Sequence, residues 1–458
     1  MLPLTELLRR DDDAVAVIDA DTGRVLTHAA LQSAVAARAD TWSGLSGRLA
    51  FLGVGRGLVS VIDLLALIRS GATTALLDRS APPDRLARWV AAYEPEAVLG
   101  FDAAPDTPVP ADGRPPLPEA VLMATSGSTG SPKFVRLSAA GVVANAEQIV
   151  TATRIGEHDR ALAHLPLSSV YGLSVVTSHL VAGACIVLSA TSATRPQFAA
   201  VLAEHAVTSL PGVPFSLEMY RRTGLLSRDL PALRDLTAAG GRVPDDLLAA
   251  TIDACHVSGR RFWPMYGQTE ACGRISVLPA DELPDMAGSV GYPVPGTRVW
   301  IADADADGRG TVHVSGPGNM LGYATGRADV GAGSDPVADL DTGDLGRLDA
   351  AGRLWITGRS QRIVKLNGLR VALDDVEAQL AVHGIVAALP DGDRITVVIE
   401  AGGVPPGLAR ELDRAMGFAP RSISVVAVPR APRTAGAKID YGRLIADLDA
   451  TTTGSGTH

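Results

Sequence analysis

Cysteine is scarce in this chain: Cys185, Cys255 and Cys272 are the three among 458 residues. None stands in a CxxC pair or at a Cys/His ligand spacing. That excludes a zinc ribbon and a disulfide framework, and it fits packing thiols in a reducing compartment. Positive charge is also in deficit. With 41 Lys and Arg against 50 Asp and Glu, the formal net charge is −9, which argues against nucleic acid or an anionic membrane as the main partner. One uncharged stretch approaches spanning length, GLSVVTSHLVAGACIVLSA at 172–190. It contains Ser174, Thr177, Ser178 and His179 and lacks flanking basic anchors, so it reads as a buried helix running into a buried strand. The opening MLPLTELLRRDDDAV is charged where a secretory segment is apolar, so a cytoplasmic setting without a signal peptide is expected. No internal repeat is evident.

What is present describes a folded α/β protein. Hydrophobic residues make up 47% and charged residues 20%, the balance of a globular chain, and the length exceeds what one core serves, so two or three domains are expected. DLLALIRSGA (63–72) has helical spacing, TTALLD (73–78) is a short apolar strand, and APPDRLARWVAAYEP (81–95) is helical again. Such alternation predicts a largely parallel sheet. The Pro/Gly-rich segment 102–118 is a surface connection. VLMAT then reads as a strand and SAAGVVANAEQIV as a helix with Ser138 at its N-cap. Farther on, 297–316 predicts two strands around an Asp/Gly turn, and 352–371 predicts short strands with tight turns.

Four stretches carry candidate chemistry. Between the VLMAT strand and the following helix lies TSGSTGSPK (125–133). Its glycines free backbone N–H groups, its hydroxyls add donors and Lys133 adds charge, a set suited to polyphosphate oxygens. It is not a P-loop, because Ser131-Pro132 interrupt the required Gly-Lys-Ser/Thr order. A plain flexible Gly/Ser loop with a surface lysine is the competing reading. In YGQTEA (266–271), Tyr266 offers a flat face to a base, Thr269 a hydroxyl for a phosphate oxygen and Glu270 a carboxylate for magnesium; a polar turn is the alternative. In 340–360, Asp344 between turn glycines is a candidate acceptor for ribose hydroxyls, with Arg359 as a donor, against a β-turn pair with a solvated Asp and Arg. In PRTAGAKID (432–440), Lys438 is a candidate cation in a Gly/Ala turn that is otherwise simply solvated.

TSGSTGSPK, YGQTE, TGD, GRSQRIVKLNGLRV and RTAGAKID occur in that order along the chain. Together they resemble the adenylate-forming superfamily: acyl- and aryl-CoA ligases, adenylation domains of non-ribosomal peptide synthetases, and luciferases. The resemblance implies a large N-terminal α/β domain with mixed and parallel sheets over 1–360. It also implies a small mobile α+β C-terminal domain over 361–447, with 448–458 as a flexible tail. It implies that Thr125, Ser126, Gly127, Ser128, Thr129, Gly130 and Lys133 handle the phosphates of ATP. Gly240, Gly241 and Arg242 would lie beside adenine and the acyl pocket. Tyr266, Gly267 and Gln268 would form the adenine and substrate wall, with Thr269 on the α-phosphate, Glu270 on Mg2+, and Asp344 and Arg359 on the ribose. Lys438 matches the lysine that bridges carboxylate and α-phosphate. Gly368 would line the tunnel for the incoming thiol after the small domain rotates.

The same resemblance places the acid against Ser169, Tyr171, Gly172, Phe215 and Met265, with Tyr171, Phe215 and Met265 supplying apolar bulk for an aryl or modest aliphatic acid. Two positions depart from common forms. Ser169 stands where many acyl-CoA ligases have an aromatic or His. Gln361 stands where the hinge is usually Asp or Lys. Val170 replaces the Asp with which amino-acid-activating domains hold an α-amino group, and a valine cannot pair with an ammonium. The expectation is an ATP-dependent enzyme that activates a carboxylic acid as acyl-AMP and passes it to a thiol, most simply coenzyme A. Delivery to the phosphopantetheine of a carrier protein on a separate chain, amide formation, and a non-catalytic nucleotide-binding relative are the alternatives.

Overall fold

The computed structural model describes residues 7–8, 12–107, 113–124, 133–359, 363–366, 369–380, 384–392, 394–432, 444–445 and 447–448. The chain divides into two compact units, one of residues 1–124 with 132–358 and one of residues 125–131 with 359–458.

In the larger unit the short apolar runs become parallel strands. Leu49–Val54 is buried along its whole length and pairs in parallel with Thr73–Asp78 and Ala97–Leu99. Val121–Ala124 pairs in parallel with Thr73–Asp78. Strands covered on both faces need no polar alternation, which is why these runs lack it. Antiparallel Phe134–Leu137 and Gly322–Ala324 complete a six-stranded sheet. The preceding helix, Leu58–Ser70, ends at Gly71, whose φ of +82° is the left-handed geometry that glycine adopts without a Cβ penalty.

A nine-stranded sheet forms the second layer. Arg261–Tyr266, Asp235–Ala238, Ser209–Gly212, Arg160–Ala163, Cys185–Leu188 and Val15–Asp19 are parallel neighbours in that order. Their carboxyl ends therefore share one edge. Gly240-Gly241-Arg242 follows one of these strands, Val213 and Pro214 follow another, and Tyr266-Gly267-Gln268 closes a third. Open α/β sheets bind ligands beyond that edge.

Two helices pack behind the edge. Ala139–Thr153 is N-capped by Ser138, whose Oγ accepts from the Gly141 N–H at 3.0 Å, as the sequence predicts. Val170–Val181 is capped in the same way by Ser169, whose Oγ accepts from the Gly172 N–H at 3.1 Å. Every residue from 171 to 181 is buried. Its hydroxyls donate back to carbonyls one turn earlier, Ser174 to Tyr171 at 2.9 Å and Thr177 to Leu173 at 3.1 Å, so polar side chains are tolerated inside the protein. With the strand Cys185–Leu188 this accounts for the uncharged stretch 172–190. Among the described residues no helix is long and apolar enough to cross a membrane.

The expected pair around the Asp/Gly turn is present as antiparallel Arg298–Ala302 and Gly310–Ser315, in a four-stranded sheet with Leu340–Leu348 and Leu354–Arg359. Asp344 corrects one expectation. It lies in a nine-residue strand rather than a turn pair. The strand bulges around it: Thr311 pairs with Leu345 but His313 pairs with Asp341, and Gly343 absorbs the extra length at φ +68°. A bulge of this kind re-aims a side chain that regular pairing would have fixed.

The smaller unit has its own core, centred on Val371, Val376, Val397 and Leu412. Ile363–Leu366 pairs antiparallel with Leu369–Ala372, and the helix Leu373–Leu380 follows. Arg394–Glu400 sits between antiparallel Ile385–Asp391 and parallel Ile423–Val428, and the helix Leu408–Met416 links the last two strands of that sheet.

Candidate active site

Beyond the carboxyl edge of the nine-stranded sheet, the segment after Tyr266 folds back on itself. The Ile275 N–H donates to the Tyr266 carbonyl at 2.9 Å, and Thr269–Ala271 forms a single 3-10 turn between them. The turn is tight enough that a Cβ on Gly267 would lie 2.2 Å from the Gly273 carbonyl oxygen, so glycine is required there by contact. Tyr266, Gly267, Gln268, Thr269 and Glu270 are all left half-buried along one rim.

Two contacts join this rim to distant strands. The Tyr266 hydroxyl donates to Asp344 Oδ2 at 2.6 Å, bringing the expected base wall and ribose acceptor together. The Tyr323 hydroxyl donates to Glu270 Oε1 at 3.0 Å, while Lys133 Nζ lies 3.6 Å from the centre of the Tyr323 ring. One tyrosine thus links the candidate metal carboxylate to the candidate phosphate lysine through a hydrogen bond on one side and a cation–π contact on the other. Burial, with the Glu270 carboxylate beside it, pushes the Tyr323 phenol up, so the hydroxyl stays a donor. The sequence reading missed Tyr323; the signal was present only as an aromatic in LGYATGR, with no motif around it.

Among the described residues no cluster of three or more His, Cys, Asp or Glu exists to cage a metal. Magnesium itself takes one or two carboxylates and completes its shell with phosphate oxygens and water. Glu270, the expected magnesium carboxylate, lies half-buried on the rim. The thiols are unsuited to nucleophilic work, since all three are buried and burial pushes Cys272 up to about 12 and Cys185 to about 11.

Between the buried helix and the parallel strands lies a small cavity of about 30 Å3. Tyr171 and Met265 line it, as expected, together with Arg274 and His179, which the sequence reading did not single out. The Tyr171 hydroxyl is 2.8 Å from Thr237 Oγ1, and its ring lies under the Arg274 guanidinium at 4.7 Å. Arg274 is 3% exposed. It donates to the Gly273 carbonyl at 2.7 Å and to Ser174 Oγ at 3.1 Å, while its Nε has no acceptor. His179, 4% exposed, holds the Val175 carbonyl through Nδ1 at 2.9 Å and leaves Nε2 without a partner. Burial pulls the pKa of both side chains down.

The remaining expected residues divide into three groups. Gly240, at φ +82°, Gly241 and Arg242 reach the carboxyl edge, but the Arg242 side chain is exposed and pairs with Asp245 at 3.2 Å. Ser169 and Gly172 are held by local structure. Ser169 caps the helix and donates to the Pro166 carbonyl at 2.7 Å, and a Cβ on Gly172 would sit 2.1 Å from that same oxygen. Phe215 corrects an expectation: it is 66% exposed and does not line the cavity. Pro214 begins its helix, and Ser216, Leu217 and Tyr220 take the buried face, which turns Phe215 outward. Thr125, Ser126, Gly127, Ser128, Thr129, Gly130, Gly368, Gln361 and Lys438 lie outside the described residues, as does the Arg359 side chain at the end of its strand.

A family model for AMP-binding enzymes matches residues 102–324. Novobiocin biosynthesis protein H of Streptomyces niveus is 30% identical over 473 residues, covering 88% of this chain and 75% of that protein. The chain belongs to the AMP-binding enzymes. Within the family, the chloroplastic/peroxisomal 2-succinylbenzoate–CoA ligase of Arabidopsis thaliana is 29% identical over 301 residues, 59% of this chain, and the alignment spans 52% of that relative's length. The fold is that of o-succinylbenzoate CoA synthetase from Bacillus subtilis, solved with a product analogue. The two match at a TM-score of 0.77 and 23% identity, over 96% of this chain and 97% of the other.

Proposed function

We propose that the chain activates a carboxylic acid with ATP to form acyl-AMP and pyrophosphate, then passes the acyl group to the thiol of coenzyme A. The observation that carries this reading is the meeting of Tyr266 with Asp344 and of Glu270 with Tyr323 and Lys133, on a segment whose flanking residues Met265 and Arg274 line a cavity together with Tyr171. A base-and-ribose site, a phosphate-and-metal site and an acyl pocket side by side are what adenylation needs. Relatives named as CoA ligases support the choice of acceptor.

In this reading a carboxylate oxygen attacks the α-phosphorus, the bond to the β-phosphate bridge breaks and pyrophosphate leaves. Two anions must approach, so positive charge has to offset what builds up in transit. Lys133 and the backbone of 125–130 would receive the β- and γ-phosphates, and Thr269 the α-phosphate. Asp344 and Arg359 would hold the ribose. Glu270 would hold magnesium, which supplies charge neutralisation when bound. Lys438 would bridge the carboxylate and α-phosphate. The thiol then attacks the acyl carbonyl, a tetrahedral centre collapses and AMP departs with the electron pair. The unit beginning at Arg359 would be the mobile domain that delivers Lys438 for the first step and Gly368 for the second. Buried, unpaired cysteines and the need for ATP and coenzyme A favour a cytoplasmic setting.

The reading is tested by separating the half-reactions. Lys438→Ala is expected to lower acyl-AMP formation by roughly 10²-fold or more while leaving thioester formation from supplied acyl-AMP within a few-fold. Equal loss in both steps contradicts the role given to Lys438. Thioester that appears with a carrier protein but not with coenzyme A, or amide that appears with an amine, replaces the acceptor.

A further inference from the structure

The cavity wall holds charge that nothing beside it cancels. Asp235 and Asp159 both line the cavity, and each already has a cation: Arg261 holds Asp235 through two contacts of 2.7 Å, and Arg234 holds Asp159. Arg274 has no carboxylate partner among the described residues, and two of its five N–H bonds find acceptors there. The wall therefore keeps one net positive charge, 3% exposed, with an unpartnered Nε. A buried guanidinium in that state is costly unless a ligand completes it. It is also held in place: the Tyr171 ring lies beneath it, Ser174 and Gly273 fix two of its corners, and the Asn145 amide donates to the Arg274 carbonyl at 2.8 Å. His179 Nε2 is a second unpartnered polar atom in the same lining. A pocket meant for plain hydrocarbon has no use for either.

We propose that Arg274 is the specificity-determining residue of the acyl pocket, pairing with a second anionic group, a carboxylate or similar oxyanion, on the acid being activated. The proposal rests on the adenylating role given above and names its substrate class: acids with a distal carboxylate, as opposed to matched monoacids. The chain reaches Arg274 four residues after Glu270, so one folded-back segment supplies both the rim that meets the reacting end and the wall that meets the far end. A guanidinium is suited to that task because its planar fork keeps its charge when buried and grips a carboxylate in two places.

The experiment compares straight-chain and aryl diacids with monoacids of equal length, using wild type, Arg274→Met and Arg274→Lys. Binding is measured by calorimetry without ATP, and turnover by acid-dependent pyrophosphate exchange. Wild type is expected to favour a diacid by roughly 10- to 100-fold. Arg274→Met should collapse that ratio toward one, and Arg274→Lys should restore part of it. Melting curves and ATP binding identify variants that fail to fold, and the wild-type ratio decides the matter without any variant. A wild type that binds monoacids as well as diacids overturns the proposal. So does an equal fall for both classes in Arg274→Met, which would put Arg274 on the reacting carboxylate instead. Diacid binding that depends on Arg274 without any exchange keeps the subsite and sinks the adenylating role.

Discussion

The rim and the cavity solve opposite problems with similar residues. On the rim, charged and polar groups engage one another whatever their burial: half-buried Tyr266 donates to buried Asp344, exposed Tyr323 donates to half-buried Glu270, and Lys133 lies on the Tyr323 ring. In the cavity, Arg274 and His179 are almost fully buried and each keeps an atom with no partner. A half-exposed group pays little for waiting, since water serves it until a ligand arrives. A buried one does not have that alternative. The comparison teaches where to look for each property: the rim for the common chemistry of ATP, the cavity for the identity of the acid.

Substitutions break this comparison in different ways. Glu270→Ala should have the largest effect on the rim, lowering pyrophosphate exchange by roughly 10²- to 10³-fold and raising the magnesium requirement while the melting temperature holds. An unchanged magnesium dependence would remove Glu270 from the metal role. Asp344→Asn comes next, with an expected rise in KM for ATP of roughly tenfold or more from the loss of a charged acceptor; a change confined to the KM of the acid would place Asp344 elsewhere. Tyr323→Phe keeps the ring beneath Lys133 and loses the hydroxyl on Glu270, so a fall of only about fivefold in exchange is expected, with Tyr323→Leu clearly worse. Equal values for the two variants would show that the cation–π contact contributes nothing.

The smallest effect is on stability. Burial lowers the pKa of His179, so the folded protein holds it neutral while the unfolded chain takes up a proton below about pH 6.5. The unfolded state then binds more protons, and stability falls as pH drops through that range. His179→Asn should flatten this part of the melting-temperature profile. A profile identical to wild type would assign the acid sensitivity to other groups.

The rim was largely legible in the sequence and the cavity largely was not. YGQTE is contiguous, and its turn geometry follows from local hydrogen bonds and from the glycine contact at Gly267, so residue order carried the arrangement. Tyr323 is distant in sequence from both groups it joins, and only strand pairing of Gly322–Ala324 with Phe134–Leu137 brings it alongside Lys133. The cavity draws on residues from Ile149 to Arg274: five lie on one face of the helix Val170–Val181, at 171, 174, 175, 178 and 179, and the rest come one or two at a time from distant elements that only the fold brings together. Outside that helix, a lone arginine in the largely apolar ACGRISVL was an outward sign. Phe215 shows the reverse error: the resemblance made it a pocket residue, whereas the helix start at Pro214 set which face it occupies. Asp344 was expected between turn glycines and lies in a strand, because a bulge inside a strand and a Gly-flanked turn use the same residues.

Acid-dependent ATP–pyrophosphate exchange is the most direct measurement of the central claim, run across aryl, short-chain, medium-chain, dicarboxylic and amino acids. Exchange is expected with one class of acid other than the α-amino acids, and to fall by roughly 10²-fold or more in Glu270→Ala. ATP binding without exchange for any acid would contradict it and leave a nucleotide-binding protein that does not adenylate.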